Sequence, residues 1–159
     1  EAHAVRPSLI NYHLIVDRAL PELRRAMKSG TAWRDVPLRR IALHSVTDIS
    51  SEARALYKRL SSTATGPGPI YLYKPLLHLV LPSVKRAIVL DTDIFFFSDI
   101  RLLHKHFRRF AEGHLIGLAT EQCPSYQEVR ALGGKGFNGG VQLLDLEAMR
   151  ASKHYGALM

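Results

Sequence analysis

The sequence predicts an α/β fold, a mostly parallel sheet flanked by helices. Three observations predict it. Short apolar runs of strand length alternate with stretches whose apolar residues recur at helical spacing. Gly, Pro, Ser and Asp punctuate the boundaries between them. A pair of carboxylates, Asp91 and Asp93, stands where one apolar run ends, the edge at which open α/β sheets bind ligands. With 159 residues, 47% of them hydrophobic, the chain suits a single domain with a core of its own.

Residues 10–16 are an apolar run closed by Asp17 and form the first strand. Pro21 suits the first turn of the next helix and Gly30 its end. Leu23, Ala26 and Met27 share one face of that helix. Trp33, just beyond, reads as an apolar plug. Residues 38–46 form the second strand. Ser50 then caps a helix carrying Ala53, Leu56, Tyr57 and Leu60 at helical spacing. Residues 61–69 are a Gly/Pro/Ser loop whose two Gly-Pro steps forbid regular structure. Neither flank is long enough to stand alone, so it is a loop within one domain.

Residues 70–81 are apolar and predict a helix starting near Lys74, because Pro75 belongs in a first turn. Residues 86–90 form a buried strand that leads into Asp91-Thr92-Asp93, and residues 94–97 continue extended. Ser98 or Asp99 caps a helix with Ile100, Leu103, Phe107 and Phe110 as its stripe. His104 and His106 face different ways on it and make a poor metal pair. Residues 114–119 are a strand closed by Thr120, Glu121 and Gln122, and residues 123–135 are irregular. The glycine-dense stretch 133–140 enters a strand at 141–146, and a helix starts near Glu147.

The chemistry centres on the aspartates. Along an extended chain residues i and i+2 point the same way, so Asp91 and Asp93 converge with Thr92 turned aside. Two adjacent carboxylates repel unless something positive lies between them. A hard divalent cation fits, and phosphate oxygens complete its shell. The competing reading is a solvated turn with two helix-capping acids. The glycine stretch lacks G-x-G-x-x-G spacing and precedes a strand, so it is neither a Rossmann nor a P-loop fingerprint. Asn138 within it offers a donor and acceptors for sugar hydroxyls, and it is equally ordinary as a turn residue.

A formal charge of +8 suggests an anionic partner. Much of that charge lies in pairs such as Arg24-Arg25 and Arg108-Arg109, which suit solvated helix faces. No aromatic-basic interleaving of the RNA-binding kind appears, so no nucleic acid is expected. The single cysteine, Cys123, excludes an internal disulfide and a multi-cysteine zinc site. No apolar run reaches membrane-crossing length, and no leader pattern opens the chain.

Four blocks taken together resemble glycosyltransferase family 8. They are Ala87-Ile88-Val89-Leu90-Asp91-Thr92-Asp93-Ile94, then Asp99-Ile100 with Leu103, then Ile116-Gly117-Leu118, then Gly136-Phe137-Asn138 with Gly140-Val141 and Leu143-Leu144. The resemblance runs from about Tyr71 to Tyr155 and lies on the xylosyltransferase side, with the LARGE-type and xyloside xylosyltransferases. It implies a GT-A fold and a retaining transferase. The expected donor is a UDP-sugar, xylose first and glucose or galactose next, and the acceptor a glycan or glycoprotein. It also implies Mn²⁺ or another divalent cation, bound by Asp91 and Asp93.

Carried over residue by residue, the donor would meet Lys74, Asp91, Thr92, Asp93, Asn138, Gly139 and Gly140. Glu121 and Gln122 fall near a family position that contacts the sugar and are the catalytic candidates. None is an obvious nucleophile. A front-face reaction, with the leaving phosphate drawing the acceptor proton, needs none. Residues 10–16 look like the family's second strand, and a later Asp-Gln-Asp block and histidine have no counterpart here. The chain is therefore expected to be a partial domain spanning residues 1–159. The resemblance further implies the Golgi or ER lumen, with membrane attachment only through a segment outside this chain. Two alternatives stand beside the enzyme: a non-catalytic relative that binds a nucleotide sugar, and a basic anion-binding module.

Overall fold

A computed structural model describes residues 10–16, 19–30, 37–62, 69–124 and 127–158. Trp33 and residues 63–68 of the predicted loop lie outside the described residues. The chain divides into two compact units, Glu1–Val80 and Leu81–Met159.

In the first unit β1 (Tyr12–Val16) and β2 (Ile41–Ser45) pair in parallel, with Tyr12 opposite Ile41 and Val16 opposite Ser45. The helix that joins them, α1 (Leu20–Ser29), has Pro21 in its first turn, and the Gly30 amide donates to the Ala26 carbonyl at its end. Its half-buried residues are Leu20, Leu23 and Met27, while Ala26 is exposed. The strand expected over 38–46 is shorter, because Leu38–Arg40 turn as a 3₁₀ helix behind Pro37. Helix α2 (Ser51–Ser61) is capped by Ser50, whose hydroxyl accepts from the Ala53 amide at 3.2 Å. Ala53 is fully buried.

The helix expected to start near Lys74 does not form there. Pro69–Tyr73 is a 3₁₀ segment, Lys74 lies in a turn, and α3 (Leu77–Val80) is only a single turn. Pro75 has no amide hydrogen to give a longer helix. The Tyr73 hydroxyl donates to the Val46 carbonyl at 2.7 Å and ties this segment to the end of β2.

The second unit is built on β3 (Arg86–Leu90), β4 (Ile116–Thr120) and β5 (Phe137–Asp145) in the order β3-β5-β4. Both pairings are antiparallel, which corrects the expectation of a mostly parallel sheet. The reason lies in β5. β3 and β4 each run opposite to β5, so they run the same way as each other, as strands joined through a helix should. The returning strand β5 takes the slot between them. That intermediate helix is α4 (Ile100–His104), capped by Asp99 accepting the Arg101 amide at 2.8 Å, and it continues as a 3₁₀ turn over Lys105–Arg109.

Residues 123–135, expected to be irregular, hold α5 (Gln127–Ala131). After β5 come α6 (Leu146–Ala151) and α7 (Lys153–Leu158). Leu143 and Leu144 of β5, Leu146 and Met149 of α6, and Phe107 are buried. Each such side chain contributes about 1.5–3 kcal/mol. Asp145 joins strand to helix. It accepts from the Ala148 amide at 3.0 Å as the cap of α6 and pairs with Arg86 at 2.8 Å. This packing holds β5 in place, and β5 carries the residues of interest at its other end.

Candidate functional site

The chain leaves β3 at Leu90 and turns at Thr92-Asp93. The strand alternation that placed Asp91 and Asp93 on one side therefore does not apply there, and residues 94–97 are not a strand either. Asp91, Thr92 and Asp93 are all exposed. Neither aspartate caps a helix, since the next one starts at Ile100 under Asp99. The helix-capping part of the competing reading therefore falls away.

Asp91 meets the glycine stretch directly. Its amide donates to the Gly140 carbonyl at 2.9 Å, which extends the β3–β5 pairing beyond Leu90 opposite Val141. A methyl group on Gly140 would lie 3.4 Å from the Asp91 Oδ2 and 3.1 Å from the Asn138 Oδ1. The carboxylate, the amide and the bare glycine thus crowd one spot. β5 already runs through Asn138, Gly139 and Gly140, so these residues sit in a strand and not in a loop before it.

The strand is irregular there. Leu118 faces Gln142 while its neighbour Ala119 faces Asn138, a register shift that sets Gly139, Gly140 and Val141 apart from β4. Bulges of this kind re-aim side chains beside sites. The Gly139 carbonyl accepts from the Gln142 side-chain Nε2 at 3.1 Å.

Glu121, one residue past β4, joins the same cluster. Its Oε2 accepts from the Asn138 Nδ2 at 3.2 Å, and its Oε1 accepts the backbone amides of Gln122 and Cys123, both at 2.8 Å. These bonds, the Cys123 amide foremost, hold the Glu121 carboxyl below the usual carboxylate range, against the opposing pull of burial. Gln122 enters through its backbone amide. Lys74 belongs to the first unit, where its ammonium lies 5.1 Å from the centre of the Tyr71 ring. Sequence reasoning missed Arg130. Its guanidinium donates to the carbonyls of Glu121 at 3.0 Å and Cys123 at 3.4 Å. A cation nine residues beyond Glu121 on an overlooked helix gave no signal of its own.

The donor chemistry suits a hard cation in part. Asp91 and Asp93 offer carboxylate oxygens, and the bare Gly140 leaves room beside one of them. Among the described residues no cluster of three or more His, Cys, Asp or Glu side chains is placed to hold a metal. Phosphate and water oxygens would have to supply the rest of the shell.

No protein-family model matches the chain. Mouse xyloside xylosyltransferase 1 is 29% identical across all of this chain, and the human protein of that name is 35% identical, also across all of it. LARGE1 xylosyl- and glucuronyltransferase from chicken is 32% identical over 93% of this chain. The apo crystal structure of mouse xyloside xylosyltransferase 1 superposes over 93% of this chain with a TM-score of 0.69 and 27% identity. This chain is a homologue of these xylosyltransferases. The likeness covers residues before Tyr71 as well, more than the sequence blocks implied. The chain spans 46% of the length of either xyloside xylosyltransferase, 20% of chicken LARGE1 and 58% of the crystal chain. Among the described residues no helix is long and apolar enough to cross a membrane.

Proposed function

We propose that this chain carries the donor-binding edge of a glycosyltransferase that moves a sugar from a UDP-sugar to a glycan or glycoprotein acceptor. Xylose is the first choice of sugar, because the homologues are named for transferring it. The observation that supports this reading most is the meeting of Asp91 with Gly140 and Asn138 at the end of β3. Asp91 and Asp93 would hold Mn²⁺ or another divalent cation. That cation supplies charge neutralisation for the diphosphate. The open face of Gly140 lets a ligand come close to the backbone. Asn138 has amide capacity beyond its two bonds here and offers it to sugar hydroxyls. Thr92 and Gly139 flank these groups, and Lys74 is assigned to the donor from family resemblance. A Golgi or ER lumenal setting goes with this reading.

One observation favours a second reading, a relative that holds the nucleotide sugar without turning it over. The described residues bring no third metal-ligating side chain to the two carboxylates. Hydrolysis of UDP-xylose, UDP-glucose and UDP-galactose by the purified chain, with Mn²⁺ and with EDTA, separates the readings. The transferase predicts Mn²⁺-dependent release of UDP, fastest from UDP-xylose. Binding of UDP-xylose with no release selects the second reading. Polyanion binding that needs no metal and collapses with salt contradicts both.

A further inference from the structure

The loop after β4 is tied to the candidate site by an ordered chain of hydrogen bonds. Both oxygens of Glu121 are engaged: Oε1 by the Gln122 and Cys123 amides, Oε2 by the Asn138 Nδ2. The other end of the Asn138 amide, Oδ1, accepts the Gly140 amide at 2.9 Å. Gly140 in turn accepts from Asp91 through its carbonyl. Behind the loop, Arg130 of α5 grips the carbonyls of Glu121 and Cys123, on either side of Gln122.

We propose that Glu121 and Arg130 form a clasp that sets which way the Asn138 amide faces, so that Glu121 is a positioning residue and not the proton donor of the reaction. The inference rests on reading this edge as a nucleotide-sugar donor site. An amide has a donor end and an acceptor end. Turned over, Asn138 would set its oxygen against the Glu121 carboxylate and its NH₂ against the Gly140 amide. Two hydrogen bonds would become two repulsions. The Gly140 amide and the Oε2 acceptor enforce the observed orientation together, and a carboxylate has no competing donor there. The Cys123 amide, first among several contacts, keeps that carboxyl below its usual range, and such a group has no proton to give at neutral pH. Arg130 keeps the loop amides aimed at Oε1 by fixing the carbonyls around them.

The test uses the purified chain. Two readouts are needed: the side-chain amide resonances of Asn138 by NMR, assigned through their loss in Asn138→Asp, and UDP-xylose affinity with Mn²⁺ by calorimetry. Glu121→Gln puts an NH₂ group against the Asn138 donor. It is expected to move the Asn138 resonances and to weaken UDP-xylose about tenfold, the scale of one lost hydrogen bond. Arg130→Ala should shift both readouts in the same direction by less, and Arg130→Lys should recover part of the loss. Unmoved Asn138 resonances in Glu121→Gln overturn the clasp. UDP-xylose affinity unchanged in that variant, when the parent chain binds UDP-xylose, overturns it too, because a purely chemical role for Glu121 predicts that result. A parent chain that binds no UDP-xylose with Mn²⁺ counts against the donor-site reading, and the resonances still decide the clasp.

Discussion

Replacing Gly140 with alanine probes the crowded spot by a single methyl group. Gly140 does not have a positive φ, so alanine meets no backbone strain there. The new carbon would lie 3.1 Å from the Asn138 Oδ1, where ordinary contact begins at 3.4 Å, so the amide must retreat by about 0.3 Å. The Asp91 Oδ2, at 3.4 Å, would just touch the methyl group. Retreat of Asn138 lengthens its bond from the Gly140 amide, now 2.9 Å. The site is at the surface, so the fold should lose no more than about 1 kcal/mol. Affinity for UDP-xylose with Mn²⁺ should fall more, by about tenfold or ~1.4 kcal/mol, because small misplacements of positioned groups are costly. Thermal melts and calorimetric titration, run side by side, measure the two effects. UDP-xylose affinity equal to the parent's, with an unchanged melt, would refute the claim that this spot faces the donor.

Three further outcomes concern the frame. Leu144 is almost fully buried in the second unit, and Leu144→Ala should cost about 2–5 kcal/mol in urea unfolding. Asp145 is buried while capping α6 and pairing with Arg86, so Asp145→Ala should cost about 1–3 kcal/mol, since it strips a cap and an ion pair whose Arg86 side is half exposed. Asp145→Asn should cost less, because its side-chain oxygen keeps the cap. In the first unit the His13 Nδ1 and His44 Nε2 lie 2.9 Å apart across β1 and β2. Burial, and for His13 also the neighbouring His44, holds both below the usual histidine value of 6.5. The unfolded chain takes up these protons first as pH falls. The pair's stability is therefore fully present above pH 6.5 and is lost as pH drops through the folded values. Melting against pH should slope downward below that point, and His13→Gln should flatten the slope.

The sequence showed most where local chemistry decides the structure. Ser50 was legible as a cap, and the next cap was narrowed to Ser98 or Asp99, because each is a short polar side chain just ahead of an apolar helical stripe. Pro21 and Gly30 marked the ends of α1 for equally local reasons. The bounds of β3 came from an unbroken apolar run. Sheet direction was not legible, because the connection through α4 fixes how β3 and β4 run but not that β5 enters between them. The start of β5 was hidden by its glycines, which look like loop until a partner strand supplies the hydrogen bonds. Helix α5 is five residues long, too short for a periodic stripe. Its stop signal, Gly133 at φ 78°, lies inside the glycine-dense stretch and is masked by it.

At the site, Asp91, Asn138, Gly140 and Glu121 were named from sequence, and the fold brings them together. What the sequence could not supply was the wiring. The Thr92-Asp93 turn breaks the strand alternation. The link from Glu121 to Asn138 forms just past the point where the register of β4 against β5 shifts, at Ala119.

The most direct measurement is calorimetric titration of UDP into the chain with Mn²⁺, with EDTA, and with Asp91→Asn in Mn²⁺. Heat of binding in the first case alone is the predicted result, since the turn after β3 would then grip the diphosphate through a cation. Equal binding in all three would contradict it.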